Sequence, residues 1–180
     1  MSQKVLIISC SPRRGANSEI LAGEFERGAR EAGHEVELIS LRDKQIGFCK
    51  GCLACQKTGR CVLHDDADQI ARKMLNAEVI AFATPVYFYE MCGQMKTMLD
   101  RTNPLFPADY AFRDIYLLAA AADDAERAMD GVVKGLEGWI SCFEKAGLKG
   151  VLRGLGLTGP GEAKGVDAFL QAAYDMGKSL

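Results

Sequence analysis

The sequence lacks the long apolar run, the charge excess and the leader that mark membrane, nucleic-acid-binding and exported proteins. None of its apolar stretches approaches the roughly 20 residues of a transmembrane helix. Its 22 basic and 24 acidic residues leave a formal net charge of -2, so neither nucleic acid nor an anionic membrane is an expected partner. The first residues pass into a strand-like run without the apolar region of a signal peptide. We therefore expect a cytoplasmic protein with no nucleic-acid or membrane partner.

Histidine is also scarce, since the sequence contains only His34 and His64. We place His34 at the surface near the start of a strand, and His64 in a turn beside two aspartates. Histidine is the side chain that most often acts as a general acid or base. We therefore do not expect proton transfer by histidine in this protein.

Cysteine, in contrast, is abundant. The sequence has seven cysteines, and an odd number without an export signal favours a reducing compartment with free thiols or metal ligands. Four of them follow the pattern Cys-x2-Cys-x2-Cys-x5-Cys, at Cys49, Cys52, Cys55 and Cys61. By spacing alone this pattern favours a [4Fe–4S] cluster over a zinc site, which usually pairs two distant Cys-x2-Cys elements. Redox-active thiols are a further alternative, and we place Cys92 and Cys142 in the core.

Strand-like and helix-like segments alternate along the whole chain. The predicted strands are Lys4–Ser9, His34–Ser40, Glu78–Thr84, Asp114–Ala122 and Lys149–Leu157. The predicted helices are Ser18–Ala32, Asp66–Leu75, Cys92–Arg101, Ala125–Ala146 and Val166–Met176. Between them, Asn103–Arg113 is a predicted loop, with two prolines and three aromatic residues.

This alternation predicts an α/β fold with a parallel sheet covered by helices on both faces. Right-handed crossovers leave the flavodoxin-like strand order 2-1-3-4-5 as the simplest arrangement of the five strands, in a three-layer sandwich. Residues 1–180 then form a single domain. In such sheets a ligand binds at the carboxyl ends of the strands, here between the first and third strands.

The first predicted strand ends in a polar turn, Ser9–Ser18, which leads into a helix. A helix N-terminus presents unpaired amides and a partial positive charge, which suit a phosphate. Further donors come from the side chains of Ser11, Asn17, Ser18 and either Arg13 or Arg14. The turn matches neither G-x-G-x-x-G nor a Walker A sequence, so a Rossmann fold and an NTPase are both poorly supported. A capped helix after a solvated turn is the alternative interpretation.

The third predicted strand leads into Thr84–Gly93, a segment with three aromatic residues before the next helix. Aromatic rings and free backbone amides beside a phosphate site suit a flat ring system. A phosphate and a flat ring on one ligand indicate flavin mononucleotide, FMN. An aromatic core beneath a tight turn is the alternative.

These two segments resemble the NAD(P)H-dependent FMN reductases and their iron–sulfur flavoprotein relatives. The family loop Gly-Ser-Pro-Arg followed by Gly-Asn-Thr corresponds here to Cys10–Arg13 and Ala16–Ser18, and the family's Lys-x-x-x-Asp-Arg helix to Lys96–Arg101. The resemblance implies that the FMN phosphate is held by Ser11, Arg13, Asn17 and Ser18. It also implies that the flavin ring lies along Thr84, Pro85, Val86, Tyr87 and Phe88, with Ala121, Ala122 and Asp123 on its other side.

The implied function is an FMN-dependent NAD(P)H oxidoreductase that passes hydride or electrons to a small acceptor such as a flavin, a quinone or a nitro or azo aromatic. The flavin carries this chemistry, so no catalytic side chain is expected. The resemblance also implies a homodimer or homotetramer, for which Asn103–Arg113 and Trp139 offer apolar surface. Neither the physiological acceptor nor the choice between NADH and NADPH follows from the sequence.

Two alternatives remain open. The first is an iron–sulfur flavoprotein with a [4Fe–4S] cluster on the four spaced cysteines, exchanging electrons with a ferredoxin-like partner. The resemblance does not favour this, because cluster-free FMN reductases carry a similar segment, matching Gly51–Cys55, Gly59–Cys61 and Asp65-Asp66. We therefore assign no metal ligands. The second is a non-enzymatic flavodoxin-like electron carrier, although such carriers are usually more acidic than this chain.

Overall fold

The computed structural model describes all residues from 1 to 180. Its strands are β1 Lys4–Ser9, β2 Glu35–Ser40, β3 Val79–Tyr87, β4 Glu90–Met91, β5 Asp114–Ala120 and β6 Gly147–Gly154. Its α-helices are α1 Asn17–Glu31, α2 Ala54–Thr58, α3 Asp66–Asn76, α4 Gly93–Asp100, α5 Asp130–Ile140 and α6 Asp167–Lys178. Short 3-10 helices cover Asn103–Leu105, Glu126–Met129 and Glu162–Gly165.

The main sheet is parallel, with the order β2-β1-β3-β5-β6. The two-residue strand β4 lies off this path and pairs antiparallel with the end of β3. Without β4, the order is the flavodoxin-like order that the alternation of elements predicts. β1 lies at the centre of the winding, with β2 on one side and β3 on the other.

Helices cover both faces of the sheet, and β1 supplies side chains to each. Leu6 and Ile8 belong to the larger core cluster, which includes buried residues of α3, α4 and α5. Val5 and Ile7 belong to the second cluster, which includes Phe25 of α1 and residues of α6. A strand buried on both faces needs apolar residues at successive positions, which explains the continuous aliphatic run of β1.

Several element boundaries differ from the predicted ones by one to three residues, and two differences involve the surrounding structure. The helix predicted over Ala125–Ala146 is divided into a 3-10 turn and α5, which ends at Ile140. Phe143 extends the apolar stripe beyond that point and is buried, although it lies in a turn and not in the helix. The third strand continues past Thr84 to Tyr87 because β4 pairs with its end.

The structure corrects two expectations about burial, the first in part. The aromatic residues Tyr110 and Phe112 of the Asn103–Arg113 loop are buried and stack at 4.4 Å between ring centroids. Trp139 packs against Phe112 as well, so of the three aromatic residues in the loop only Phe106 is exposed. Cys142, which we expected in the core, is exposed. None of the helices has the length and apolar character that crossing a membrane requires.

Candidate functional site

The two turns predicted to bind one ligand lie side by side at the carboxyl edge of the sheet. The amide of Cys10, just after β1, donates to the carbonyl oxygen of Ala83 in β3 at 2.8 Å. The thiol of Cys92, after β4, donates to the Cys10 carbonyl oxygen at 3.2 Å. The parallel pairing of β1 with β3 therefore brings together two segments about 70 residues apart, as their strand order requires.

The start of α1 carries several unused hydrogen-bond donors. Ala16 is the N-cap residue of this helix, and its methyl group cannot accept a hydrogen bond from the helix amides. The amides of Asn17, Ser18 and Glu19 donate to no group of the protein. The hydroxyl of Ser18 is 1% exposed and also has no partner. A buried hydroxyl without a partner is costly, and at the N-terminus of a 15-residue helix it indicates an anion-binding site.

The other residues predicted to bind the phosphate differ in whether their side chains already have hydrogen-bond partners. Ser11 is buried, and its hydroxyl oxygen accepts from the Arg13 amide at 3.1 Å, which shapes the turn. Arg13 and Arg14 are both exposed. Neither guanidinium group forms an ion pair within the chain, so both are available to an anion, although their charges are screened by water.

Asn17 joins the turn to a third loop. Its side-chain amide donates to the Gly159 carbonyl oxygen at 2.9 Å, and its side-chain oxygen accepts from the Ala163 amide at 3.1 Å. These bonds connect the start of α1 to the segment that follows β6. Sequence reasoning did not include this segment in the site. Its glycine-rich composition between Gly154 and Gly161 is the signal that marks it as a close neighbour.

Glu19 is a second feature that sequence reasoning missed. Its carboxylate accepts from the Gly15 amide at 2.5 Å and pairs with Arg42 at 3.0 Å. Burial raises the pKa of Glu19, but the hydrogen bonds from Arg42 and Gly15 outweigh burial and hold this pKa below its usual value. The Gly15 amide is therefore occupied, which leaves the first amides of α1 and the Ser18 hydroxyl as the available donors.

The predicted ring segment begins inside the sheet and ends in solvent. Thr84 is buried, and its hydroxyl oxygen accepts from the Cys92 amide at 3.2 Å while the hydroxyl donates to the Pro85 carbonyl oxygen at 2.9 Å. Its side chain thus braces the base of the turn. Val86 is half-buried, whereas Tyr87 and Phe88 are exposed. The turn therefore presents aromatic rings to solvent beside the phosphate turn.

The end of β5 closes the other side of this region. The Tyr89 hydroxyl donates to the Asp123 carboxylate at 3.1 Å. A hydrogen bond from the Ala125 amide and a second from Tyr89 lower the pKa of Asp123. This contact joins the ring segment to the Ala121–Asp123 segment that the resemblance places across the ring.

The four spaced cysteines line one pocket in the segment that follows β2. Cys49, Cys52, Cys55 and Cys61 line it together with Leu53, Leu63 and Arg101. Backbone amides donate to two of the sulfur atoms, from Gly51 to Cys49 at 3.4 Å and from Leu63 to Cys61 at 3.5 Å. Burial, followed by the nearby Cys61 thiol, raises the pKa of Cys55.

A buried arginine holds this segment. The Arg101 side chain is fully buried and donates to both carboxylate oxygens of Asp65, at 2.7 and 2.9 Å. It also donates to the Gly47 carbonyl oxygen at 2.7 Å and to the Cys61 sulfur at 3.3 Å. Asp65 in turn caps α3 by accepting from the Ala67 amide. The cysteine segment, residues 47–65, is therefore anchored by this ion pair between the end of α4 and the start of α3, and by a second pair from Arg60 to Asp68 at 2.7 Å.

The cysteines do not form a site for a single ion. No three or more histidine, cysteine, aspartate or glutamate side chains converge on a point that could hold one metal ion. A [4Fe–4S] cluster makes a different demand, since each of its irons takes one thiolate. Four thiols around a shared pocket, with N–H donors to sulfur, have the chemistry that such a cluster requires.

Comparison with known proteins identifies the family of this chain. Residues 3–146 match the family model described as NADPH-dependent FMN reductase. An iron–sulfur flavoprotein from Methanocaldococcus jannaschii is 42% identical over 102 residues, which cover 57% of this chain and 53% of that protein. The chain spans about half the length of the curated relatives that it matches first.

Solved structures share the fold at low sequence identity. An NAD(P)H:quinone oxidoreductase from Methanothermobacter marburgensis superposes with a TM-score of 0.78 and 18% identity, over 99% of this chain and 96% of that one. An azoreductase from Bacillus anthracis has a TM-score of 0.73 and 18% identity, with both chains fully covered. These likenesses establish the flavodoxin-like architecture, and the family model covers most of the chain. The chain therefore belongs to the NADPH-dependent FMN reductase family.

Proposed function

We propose that this protein is an FMN-dependent NAD(P)H oxidoreductase that passes hydride or electrons to a small acceptor such as a flavin, a quinone or a nitro or azo aromatic. One observation supports this most directly. The buried Ser18 hydroxyl and the first amides of α1 have no partner, and they lie beside an exposed aromatic turn on the neighbouring strand. One ligand with a phosphate at one end and a flat ring at the other would satisfy both.

For the phosphate, we propose the residues that the resemblance implies, with roles that fit their surroundings. Ser18 donates through its hydroxyl and amide, and Asn17 through its amide, because the Asn17 side chain is already engaged. Ser11 supports the turn by accepting from Arg13. The Arg13 guanidinium group adds a charge-assisted contact to the phosphate.

For the ring, we propose the segment Thr84–Phe88. Thr84 and Pro85 set the direction of the turn from inside the sheet, and the backbone of Val86, Tyr87 and Phe88 lies along the ring edge, which leaves the Phe88 side chain free. Bound FMN supplies a ring that accepts hydride from the nicotinamide and returns electrons to an acceptor. The chain would bind and orient the ligands, so the reaction would not require an acid, base or nucleophile from the chain.

FMN titration tests this proposal. Addition of the apoprotein to free FMN should quench the flavin fluorescence to a stoichiometric end point, and the loaded protein should oxidise NADPH when menadione is supplied. Ser18→Ala should weaken FMN binding, and Ser141→Ala, at an exposed position after α5, is its matched control. An apoprotein that leaves FMN fluorescence unchanged would contradict the proposal.

A second candidate function adds a [4Fe–4S] cluster to the same protein. Its support is the pocket lined by all four spaced cysteines, with the N–H donors to Cys49 and Cys61. The relative from Methanocaldococcus jannaschii is itself named an iron–sulfur flavoprotein. In this version the cluster would be held by Cys49, Cys52, Cys55 and Cys61, and electrons would be exchanged with a ferredoxin-like partner.

Iron and acid-labile sulfide decide between the two versions. Anaerobically purified protein should contain four of each per chain if the cluster is present, and Cys55→Ser should lose them. Cys142→Ser is the matched control, because Cys142 is exposed and lies outside the segment. Iron-free protein after anaerobic reconstitution would eliminate the cluster and leave the FMN proposal standing.

We also propose that residues 1–180 act as one FMN-binding unit that assembles into a homodimer or homotetramer. One continuous parallel sheet supports the single unit, since its strands run from Lys4 to Gly154. Light scattering of the FMN-loaded protein measures the assembly directly. A monomer at micromolar concentration would contradict the second part of this proposal.

A further inference from the structure

The turn between β3 and β4 has a backbone that its residues do not favour. Val86 pairs with Met91 and Tyr87 with Glu90, so Phe88 and Tyr89 alone form the turn. Their φ angles are 51° and 64°, both in the left-handed region. Two-residue turns of this kind usually carry asparagine or glycine, because a bulky side chain is strained there. Two successive aromatic residues are therefore an exception that needs a cause.

The turn is held in this conformation by helix α5 and by the end of β5. A Cβ atom at Gly131 would lie 2.3 Å from the Tyr89 carbonyl oxygen, so the helix backbone touches the turn directly. The Tyr89 hydroxyl donates to Asp123 from the other side. Gly138, further along the same helix, has no atom within 4 Å of its own Cβ position. The close approach at Gly131 is therefore a specific contact and does not arise from glycine content alone.

The result is an aromatic ring with no packing partner in the protein. Phe88 is 100% exposed, the highest value among the large apolar side chains after Met1, and Tyr89 beside it is 58% exposed. A fully exposed phenylalanine gains nothing from burial, and its backbone conformation is strained. A contact with a bound molecule would provide the compensation that the folded chain lacks.

The charge near the turn restricts what that molecule can be. Glu90 follows the turn directly, and Asp123 is bonded to Tyr89. The Asp123 carboxylate lies at the Tyr89 hydroxyl and would repel a negatively charged ligand there. The Glu90 carboxylate instead lies against Gly135 of α5 and accepts from the Met91 amide. A flat, uncharged aromatic ring can stack on the exposed phenylalanine and has no charge for the Asp123 carboxylate to repel.

We propose that Phe88 is the residue on which a flat, uncharged acceptor such as a quinone stacks, and that Gly131 is the positioning residue that seats the turn. This rests on the proposed FMN-dependent function. In the net reaction NAD(P)H loses a hydride and becomes NAD(P)+. The quinone gains that hydride and one solvent proton, and it becomes the hydroquinone.

Three variants test the proposal. Phe88→Asn removes the ring but keeps a residue that tolerates the left-handed region. Gly131→Ala forces the helix and the turn apart, and Gly138→Ala is its matched control on the same helix. For each protein we would measure the Kd for FMN by fluorescence quenching, the KM for NADPH, and the KM for menadione and for a sulfonated naphthoquinone.

Phe88→Asn should raise the KM for menadione about fivefold, the size of one aromatic stacking contact, with a much smaller change in the KM for NADPH. Gly131→Ala should raise the KM for menadione at least as much and also weaken FMN binding, while Gly138→Ala matches the wild type. Wild-type protein should use menadione better than the sulfonated quinone.

An unchanged KM for menadione in Phe88→Asn would overturn the role of the ring. Equal behaviour of the two glycine variants would overturn the role of Gly131, and a circular dichroism spectrum like that of the wild type shows that each variant is folded. If Phe88→Asn instead changes the number of subunits seen by light scattering, Phe88 belongs to a contact between copies and the proposal fails. If the wild-type protein does not bind FMN, the proposed function itself is wrong. That result comes from the wild type alone, so it is distinct from any result of the variants.

Discussion

The phosphate turn and the cysteine segment follow two neighbouring strands of one sheet, β1 and β2, yet they are built in different ways. In the phosphate turn the first amides of α1 and the buried Ser18 hydroxyl have no partner. In the cysteine segment Arg101 donates to two carbonyl oxygens, a sulfur and a carboxylate. The phosphate turn therefore leaves a set of donors unpaired, whereas the cysteine segment pairs most of the buried polar atoms around Arg101, with the Arg101 Nε atom as an exception.

This difference distinguishes polar groups that indicate a ligand from polar groups that stabilise the fold. Buried donors without partners point to a ligand, because the folded protein does not compensate their desolvation by itself. A network that the chain satisfies internally points first to stability, whatever ligand the neighbouring thiols take. The phosphate turn should therefore respond to substitution mainly through ligand affinity, and the cysteine segment mainly through unfolding free energy.

The largest expected effect is on the ion pair. Arg101→Leu leaves Asp65 partly buried without its partner, and we expect a loss of about 3–5 kcal/mol of unfolding free energy, as for other broken buried pairs. Urea unfolding measures this. Lys96→Gln is the control, because Lys96 forms an exposed ion pair with Asp100 on the same helix and should cost less than about 0.5 kcal/mol. Equal losses in the two variants would show that burial of Arg101 contributes nothing special.

Asp65, the partner of Arg101, makes the stabilisation by this ion pair depend on pH. Burial raises the pKa of Asp65, but hydrogen bonds from Arg101 and Gly47 outweigh burial and keep it below the usual value. The folded state therefore gains stability from Asp65 above its unfolded pKa of about 4, and this gain is lost as the pH falls through the lower folded pKa.

Asp65→Asn should remove that dependence. We expect it to lower the unfolding free energy at neutral pH by about 2 kcal/mol, the size of hydrogen bonds to a charged group. The difference from the wild type should shrink below about pH 4. Urea midpoints across that range provide the measurement, and a difference that stays constant with pH would contradict the assignment.

Substitution of Ser18 should stabilise the apoprotein, whereas substitution of Arg101 should destabilise it. Ser18→Ala removes a buried hydroxyl without a partner, so the apoprotein should become more stable by about 1 kcal/mol. The same change should weaken FMN binding by about tenfold or more, because it removes a hydrogen bond to a charged phosphate. Thermal unfolding and FMN titration of one preparation measure both effects. A variant that is less stable without FMN would show that the hydroxyl has a partner in the protein.

The smallest expected effect is a difference in FMN affinity between variants of the two neighbouring arginines, Arg13 and Arg14. The family loop implies that Arg13 holds the phosphate and that Arg14 does not. Arg13→Ala should therefore weaken FMN binding up to about fivefold, as for an exposed charge pair, and the loss should decrease at high salt. Arg14→Ala is the matched control, since both side chains are exposed. Equal FMN affinities of the two variants would reject the assignment of Arg13.

Much of the fold could be predicted because the patterns that carry it are local. The aliphatic run of β1 predicts a strand buried on both faces, with the same bounds, Lys4–Ser9, as in the structure. The order of the parallel strands follows from the alternation of elements and from the handedness of crossovers. The position of the two turns follows from that order, since the ends of β1 and β3 must be neighbours.

The hairpin of β3 and β4 could not be predicted in the same way. Phe88 and Tyr89 break the local rule for two-residue turns, so nothing in the sequence marks the turn. Its conformation depends on Gly131, which lies about 40 residues further along the chain. The engagement of Asn17 by Gly159 and Ala163 depends on an even longer separation.

The sequence alone determined the alternation of strands and helices, the polar turn after β1 and the spacing of the four cysteines, because each is a pattern of neighbouring residues. Only the tertiary structure decided which polar groups are used. Ser18 and Asn17 are adjacent, with similar donors, yet the Ser18 hydroxyl is unpartnered and the Asn17 side chain is bonded to a distant loop. Whether a donor is free for a ligand depends on which distant acceptors the fold brings to it, and that is a property of packing.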